Sequence, residues 1–357
     1  QHLLFISSRG RIRDVYRMRV DRGSEKTYNV DRLTTGMSPF SIALFGDQDD
    51  IVLSEVTIRN NVWSFEIAGD GTAIDRGRQV TFGEHTIEGI DISEDGRWLL
   101  FDSGINGSQD IFRMDMVSGD VQQLTSDAAD EFYPVLSPDG EWIAYYSIPA
   151  GTRDLNIMRA DGSGKRAITS GPYEVQSLDW SADGERLLVW SNRGGQGGLF
   201  TVSGFLNAAS DPVWEQVKGI ESGPGCSGEW SPDGKLIAFR RQFEDENSPR
   251  ITVTDAGGSI ILDFPGQDHG LKNIGRAHWS EEGDRIFFVA ADSIGDAIWS
   301  FAFSDGTLDV ACRVKDRGLF RIRKETSFDG HAYYLSLREV VGDIWQLSES
   351  GSMTNLK

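Results

Sequence analysis

The residue types that support metal binding are present in this chain, but not at the spacings that metal sites need. The five histidines are His2, His85, His269, His278 and His331. They form no H-E-x-x-H or H-x-H pattern, and no Cys-x-x-Cys motif completes a zinc site. We predict no metal site. Only His278 is singled out, because it precedes Trp279 and a turn motif and should lie on an inner strand facing a channel or a neighbouring sheet.

Motifs for nucleophilic catalysis and phosphate binding are also missing from the sequence. There is no G-x-S-x-G elbow, and residues 225–228 lack its spacing. The glycine-rich stretch 194–198 has no following helix and no Lys-Ser/Thr pair, so it indicates a hairpin. No calcium-loop pattern occurs. The sequence therefore predicts no catalytic residue and no cofactor.

The two cysteines, Cys226 and Cys312, are too few for a disulfide framework. Cys226 falls on an innermost strand of one repeat and Cys312 on an outermost strand of the next. We expect two buried, unpaired thiols.

A repeat of short strands organises the chain. Eight times a polar turn leads into a strand built around an aromatic or branched residue, at intervals of 44 to 52 residues. The eight strands begin at Asp14, Asn61, Asp110, Asp154, Gly198, Arg250, Asp296 and Asp343. This period matches a four-stranded antiparallel sheet with its turns, as in a propeller blade.

A second motif fixes the phase of each repeat. Six Ser-x-Asp/Glu-Gly turns begin at Ser93, Ser137, Ser181, Ser231, Ser280 and Ser327. The acidic side chain can bond to nearby backbone N–H groups, and glycine accepts the positive φ that closes the turn. We predict positive φ at Gly96, Gly140, Gly184, Gly234 and Gly330, with a strand following each turn.

The predicted fold is all-β: a single propeller domain of four-stranded antiparallel blades over residues 1–357. Eight blades are expected, the first lacking its innermost strand at the N-terminus, and seven blades are the alternative. The boundaries are about 1–35, 36–84, 85–127, 128–172, 173–223, 224–269, 270–316 and 317–357.

A net charge of −20 and a pI near 4.6 argue against nucleic acid as a partner, because phosphate binding relies on clustered Lys and Arg. The charge either keeps a large surface soluble or offers an acidic face to a basic protein partner. The candidate acidic patches are Asp127, Asp130 and Glu131, or Glu244, Asp245 and Glu246. The longest apolar runs, such as 286–291, are too short to span a bilayer.

The loops between the second and third strand of each repeat carry extra residues, which favours them as a binding rim. These loops are 7–14, 103–110, 148–154, 191–198 and 241–250. Arg and aromatic side chains dominate binding hot spots. The partner-binding candidates are Arg153, Arg193, Phe243 and Arg250, and the alternative is that these loops are solvated hairpin tips.

The composite of Ser-Pro-Asp-Gly, an Asp-Ile-Phe/Trp strand and Leu-Thr resembles the TolB-like propeller repeat, also called the WD40-like PD40 repeat. The match is best over 92–169, as in Asp110-Ile111-Phe112, Leu124-Thr125 and Ser137-Pro138-Asp139-Gly140. It covers nearly the whole chain and is weak over 36–60 and 206–223.

The resemblance implies a non-catalytic, periplasmic or extracytoplasmic propeller that binds protein partners, including a membrane-embedded complex. We expect a partner-docking module or an extrinsic subunit of an envelope complex. Alternatives are a polysaccharide lyase-type enzyme or a sensor domain for a small ligand. The five histidines do not match the set that a lyase would need, and an acidic chain is a poor host for an acidic polysaccharide.

Overall fold

Antiparallel pairing of short strands organises the whole structure, as the sequence predicts. The computed structural model describes residues 2–7, 13–19, 30–35, 39–45, 50–68, 77–83, 86–149, 151–195, 197–221, 226–241, 249–313, 321–347 and 353–356. These residues contain one short 3₁₀ helix, Gly266–His269, and otherwise strands, turns and loops. Within these ranges, no helix has the length and apolar character to cross a membrane.

Six strands precede the most regular part of the chain. They are β1 (His2–Ser7), β2 (Asp14–Arg19), β3 (Val30–Arg32), β4 (Pro39–Phe45), β5 (Asp50–Glu66) and β6 (Arg78–Gln79). Strands β1, β2 and β3 form sheet A, which has three strands.

Five four-stranded sheets follow, each built from four consecutive strands. Sheet C contains β7 (Ile90–Ile92), β8 (Trp98–Ser103), β9 (Asp110–Asp115) and β10 (Val121–Gln123). Sheet D contains β11 (Asp130–Leu136), β12 (Trp142–Ile148), β13 (Asp154–Arg159) and β14 (Arg166–Ala167). Sheet E contains β15 (Val175–Trp180), β16 (Arg186–Ser191), β17 (Gly198–Ser203) and β18 (Val213–Glu221).

Sheets F and G repeat the same order. Sheet F contains β19 (Ser227–Trp230), β20 (Leu236–Arg241), β21 (Arg250–Asp255) and β22 (Ile260–Pro265). Sheet G contains β23 (Ala277–Trp279), β24 (Arg285–Ala291), β25 (Asp296–Ala302) and β26 (Leu308–Arg313). Neighbouring strands in all five sheets pair in chain order, so each sheet is an up-and-down meander.

The last three strands join the first ones in a shared sheet. They are β27 (Arg321–Phe328), β28 (Ala332–Leu347) and β29 (Met353–Asn355). Sheet B has the order β27-β28-β5-β4, with β6 also paired to β5 and β29 to β28. Strands from both ends of the chain therefore form one sheet.

The all-β class and the four-stranded antiparallel blade are confirmed. The described strands pair into seven sheets, and the segments assigned to the second and eighth blades share sheet B. The eighth predicted strand, which begins at Asp343, is part of β28, and Ile344 on it is 52% exposed. Spacing along the chain cannot reveal this sharing, because it depends on pairing between residues far apart in sequence.

Two compact units are distinguished, Gln1–Arg59 with Glu339–Lys357, and Asn60–Arg338. The assignment of residues 1–357 to one domain stays a prediction. Strands β5 and β28 each contribute residues to both units.

Within residues 60–338, six clusters of buried side chains connect six sheets in a closed ring. One cluster lies at each of the contacts C–D, D–E, E–F, F–G, G–B and B–C. Val62 and Tyr334 of sheet B, for example, pack with Leu99 and Phe101 of sheet C. Burying the apolar faces of a sheet stabilises the fold by about 25 cal/mol for each Å² removed from water. The ring arrangement gives every sheet in it two covered faces.

The Ser-x-Asp/Glu-Gly segments form the expected turns between the first and second strands. In the turn of sheet C, the Ser93 hydroxyl donates to Asp95 at 2.6 Å and accepts from Trp98 N at 2.8 Å. The five glycines assigned positive φ have it, with values of 66° to 89°. Cys226 and Cys312 are both buried, and no disulfide joins them.

A hydrogen-bonded clasp explains the recurring Leu-Thr motif. In sheet C, the Ile111 amide donates to the Thr125 hydroxyl at 2.9 Å. The same bond joins Val62 to Thr81 in sheet B, and Leu155 to Thr169 in sheet D. The threonine after the fourth strand thus fixes the start of the third.

We predict that Gly140→Val lowers the free energy of unfolding by on the order of 1 kcal/mol or more, because a branched side chain is strained at its φ of 71°. No atom lies within 4 Å of a Cβ added there, so strain alone is tested. Gly171→Val is the matched control, since Gly171 is equally open and has no left-handed φ. Denaturant unfolding of both variants measures the effect, and equal losses would contradict the turn assignment.

Candidate functional site

A cavity of about 880 Å³ lies among the inner strands of the ring. Residues from all six Ser-x-Asp/Glu-Gly turns line it, together with the ends of β7, β11, β15, β19, β23 and β27. We call this end of the ring the turn face. Because neighbouring strands are antiparallel, the loops between second and third strands lie at the opposite end, which we call the loop face.

Charged side chains enter the cavity from one repeated position, two residues before the turn serine. Among the described side chains, this position holds Asp91, Asp179, Glu229 and His278. Side chains alternate between the two faces of a strand, so residues at the same distance from the turn point in the same direction on every inner strand. All four of these side chains therefore point toward the ring interior. The cavity wall is thus set by the repeat itself.

Hydrogen bonds and ion pairs connect these side chains across neighbouring sheets. Arg276 Nη2 lies 3.0 Å from Asp179 Oδ1, and its Nε lies 3.7 Å from Glu229 Oε2. His278 Nδ1 lies 2.7 Å from Glu229 Oε2, and His278 Nε2 lies 2.8 Å from the Thr326 hydroxyl. The network therefore runs from sheet E through F and G to B.

Each cavity carboxylate also accepts a backbone amide from the next sheet. Asp91 Oδ2 accepts from Leu136 N at 2.8 Å. Asp179 accepts from Trp230 N at 2.9 Å, and Glu229 accepts from Trp279 N at 3.1 Å. These bonds occupy backbone donors that would otherwise be buried without partners. The acids are therefore structural links between sheets as well as cavity charges.

Burial and neighbouring charges set the protonation of this cluster. Burial raises the pKa of Asp91 to about 6, and the Leu136 amide offsets part of the rise. Burial also raises the pKa of Asp179 well above its usual range, with Arg276 offsetting only part of that effect. Burial acts to raise the pKa of Glu229 too, but the charge and hydrogen bond of His278 outweigh it, so the pKa is lowered. Glu229 is the member of the cluster that stays ionised most readily.

More acids than bases surround the cavity mouth. The turns add the following carboxylates to the lining: Glu94, Asp95, Asp139, Glu281 and Asp329. The basic lining residues are Arg276, His278 and His331. The turn face therefore has an acidic opening suited to a cationic group.

The position of His278 on an inner strand facing the cavity and the next sheet is confirmed. Sequence reasoning missed Asp91, Asp179, Glu229 and Arg276. A usable signal existed at three of them, since each of the acids lies two residues before a turn serine. Among the described residues, no group of three or more His, Cys, Asp or Glu has a geometry that could hold a metal ion.

The loop face holds three of the four partner-binding candidates. Arg153 Nη1 pairs with Glu174 at 3.0 Å, and Arg250 Nη1 pairs with Asp263 at 2.6 Å. Arg193 instead stacks on two aromatic rings, with its guanidinium carbon 4.3 Å from the Trp214 ring centre and 5.2 Å from that of Tyr173. Phe243 lies outside the described residues. A binding role for all four stays a prediction.

The candidate acidic patches named from the sequence are only partly exposed where the structure describes them. Glu131 is 3% exposed, and burial raises its pKa to about 7. Asp127 pairs with Lys165 at 2.8 Å, and Asp130 accepts the Gln109 amide at 3.0 Å. Residues 244–246 fall outside the described ranges. Glu131 is therefore too buried to belong to an exposed acidic patch.

The sequence of this chain is similar to sequences of TolB proteins. It is 34% identical over 147 residues to a TolB homolog of Chlorobium chlorochromatii, covering 40% of this chain and 31% of that protein. It is 24% identical over 230 residues to the Tol-Pal system protein TolB of Francisella tularensis, covering 63% of this chain and 50% of that protein. The chain thus spans half or less of the length of these relatives. No family model matches the sequence.

A solved structure shows the same fold. The putative TolB from Agrobacterium tumefaciens superposes with a TM-score of 0.58 at 17% identity, covering 78% of this chain and 98% of that one. At this identity the likeness concerns the fold, and it agrees with the propeller architecture described above.

We predict that the free energy of unfolding decreases between about pH 4 and pH 6 because of Asp91. Its folded pKa of about 6 exceeds the unfolded value near 3.8, so the native state binds more protons in this window. The stabilising effect is present below pH 4 and is lost as the pH rises through 6, by at most about 3 kcal/mol. Urea unfolding across this range measures the slope.

Asp91→Asn removes the titrating group and should flatten that slope. Glu94→Gln is the matched control, since it removes one exposed carboxyl from the same turn and should leave the slope unchanged. Parallel pH profiles for the wild type and Asp91→Asn would show that Asp91 does not hold a proton in the folded ring.

Proposed function

We propose, from the premise that this chain is a TolB-like β-propeller, that it is a non-catalytic protein-interaction module of the bacterial envelope. It would act as a partner-docking module or as an extrinsic subunit of a membrane complex. Its location would be periplasmic or otherwise extracytoplasmic. Similarity over 230 residues to a protein named for the Tol-Pal system supports this assignment.

The bonding of the cavity acids carries the proposal. Asp91 accepts from Leu136 N and the Ser327 hydroxyl, Asp179 pairs with Arg276, and Glu229 pairs with His278. A general acid or base needs to reach the proton that it transfers. The oxygens of these carboxylates are already used in hydrogen bonds that hold neighbouring sheets together. This supports a rigid docking surface rather than a reaction centre.

The charge of the molecule narrows the class of partner. A net charge of −20 and the acidic opening of the turn face favour a protein that presents basic groups there, and disfavour nucleic acid. The lyase alternative gains no support, since an acid-lined cavity repels an acidic polysaccharide. A small-ligand sensor is the second candidate, because about 880 Å³ falls within the size range of small-molecule sites.

We predict that charge reversal on one end of the ring weakens partner binding without changing thermal stability. Two double variants separate the faces: Glu94→Lys with Glu281→Lys on the turn face, and Arg153→Glu with Arg193→Glu on the loop face. Exposed ion pairs contribute about 0–1 kcal/mol, so neither pair of changes should unfold the ring. The measurement is cross-linking in native envelopes, followed by affinity measurement with the purified partner.

Each result of this experiment assigns the docking face. Loss with only the turn-face variant places the partner at the acidic opening, and loss with only the loop-face variant places it at the arginines. Unchanged affinity of both variants for a cross-linked partner would remove both ends of the ring as docking faces. If no protein is cross-linked and the purified chain cleaves a polysaccharide, the docking proposal is wrong and the lyase alternative is supported.

A further inference from the structure

Arg193 differs from Arg153 and Arg250, the other two candidate arginines of the loop face, in having no acidic partner among the described residues. Among the described residues, no carboxylate lies within ion-pair distance of its guanidinium, and its buried Nε has no hydrogen-bond acceptor. Arg153 pairs with Glu174, next to sheet E, and Arg250 pairs with Asp263 within sheet F. The positive charge of Arg193 is thus not balanced by a carboxylate of these residues, in a chain with 55 Asp and Glu and 35 Lys and Arg.

Two aromatic rings hold this guanidinium in place. Trp214 and Tyr173 lie 4.3 Å and 5.2 Å from its central carbon. Trp214 itself packs against Phe200, with ring centres 6.1 Å apart, so it is supported by the sheet E core. Stacking uses the flat faces of a guanidinium and leaves the in-plane N–H donors of its two terminal nitrogens available. The arginine is therefore positioned before any ligand arrives.

The surroundings of Arg193 are partly open, since Tyr173 is 42% exposed. The loop is fixed on its other side, because Glu174 N donates to Asn192 Oδ1 at 2.8 Å. A ligand would meet one cation and one exposed aromatic ring.

We propose that Tyr173, Arg193 and Trp214 form a receptor for a single Asp or Glu carboxylate presented by a protein partner. A planar guanidinium binds a carboxylate through two parallel hydrogen bonds, which gives direction as well as attraction. The exposed ring of Tyr173 can cover the methylene groups of an Asp or Glu. This inference rests on the proposed docking function and adds the chemistry that one contact would recognise.

The site favours a single carboxylate over a polyanion. One guanidinium supplies one bidentate contact, whereas phosphate-rich ligands need several clustered cations. The net charge of −20 repels extended polyanions from the rest of the surface. A protein segment that inserts a single Asp or Glu side chain is repelled least by this charge.

Fluorescence anisotropy with three matched short peptides tests the proposal. The peptides share the same apolar residues and carry Glu, Gln or Lys at the same positions. The Glu peptide should bind the wild-type protein best, and Arg193→Gln should weaken it about tenfold, as expected for a contact of about 1.4 kcal/mol. Arg193→Lys should also weaken binding, because an ammonium lacks the planar fork.

Arg159→Gln is the matched control. Arg159 stacks on Trp142 at 3.8 Å, and it has an acidic partner in Glu141 at 3.6 Å. The control removes the same charge from a stacked arginine and should leave peptide affinity unchanged, while melting curves verify that both variants fold. Equal binding of the Glu and Gln peptides, or unchanged affinity of Arg193→Gln, would overturn the receptor. If a partner still cross-links to Arg193→Gln with full affinity, the docking function stands and this inference fails.

Discussion

The structure depends on covering both faces of every sheet. A four-stranded antiparallel sheet with apolar residues on both sides is not stable alone in water, and stacking it between two others buries both faces. Sheets C to G meet this need with their chain neighbours. The two ends of the series still need a cover, and sheet B supplies it by packing against both G and C. Pairing strands from distant parts of the chain in one sheet follows from this requirement.

The inner strands extend the same constraint to polar groups. Where six sheets converge, backbone amides face a neighbouring sheet instead of water, and they need acceptors. Carboxylates two residues before the turn serine supply them at Asp91, Asp179 and Glu229. The cost is a cluster of partly buried acids, which Arg276 and His278 balance only in part. Burial keeps the pKa of Asp91 near 6, so the same residue links ring stability to pH.

Local chemistry was predictable from the sequence, and long-range pairing was not. The serine hydroxyl, the acidic side chain and the glycine of each turn act within a few residues, so the turns at Gly96 and Gly140 followed from the sequence alone. The threonine clasp also leaves a local signature. The joining of β5 and β28 in sheet B leaves none, because strand pairing at a separation of some 280 residues has no spacing to detect. The bonds among Asp179, Glu229 and Arg276 likewise required the sheets to be placed first.

Electrostatics makes the two ends of the ring chemically different. The turn face presents carboxylates around a cavity, whereas the loop face carries Arg153 and Arg250, which make ion pairs, and Arg193, which stacks on two aromatic rings. Long-range attraction from a strongly acidic molecule steers basic partners toward it, and this effect weakens with salt. A short-range bidentate contact at Arg193 would act only after approach and would select among partners by a single carboxylate. A partner with a basic surface and one well-placed acidic side chain satisfies both demands, so the overall charge sets how fast it arrives and the stacked arginine sets how selectively it is held.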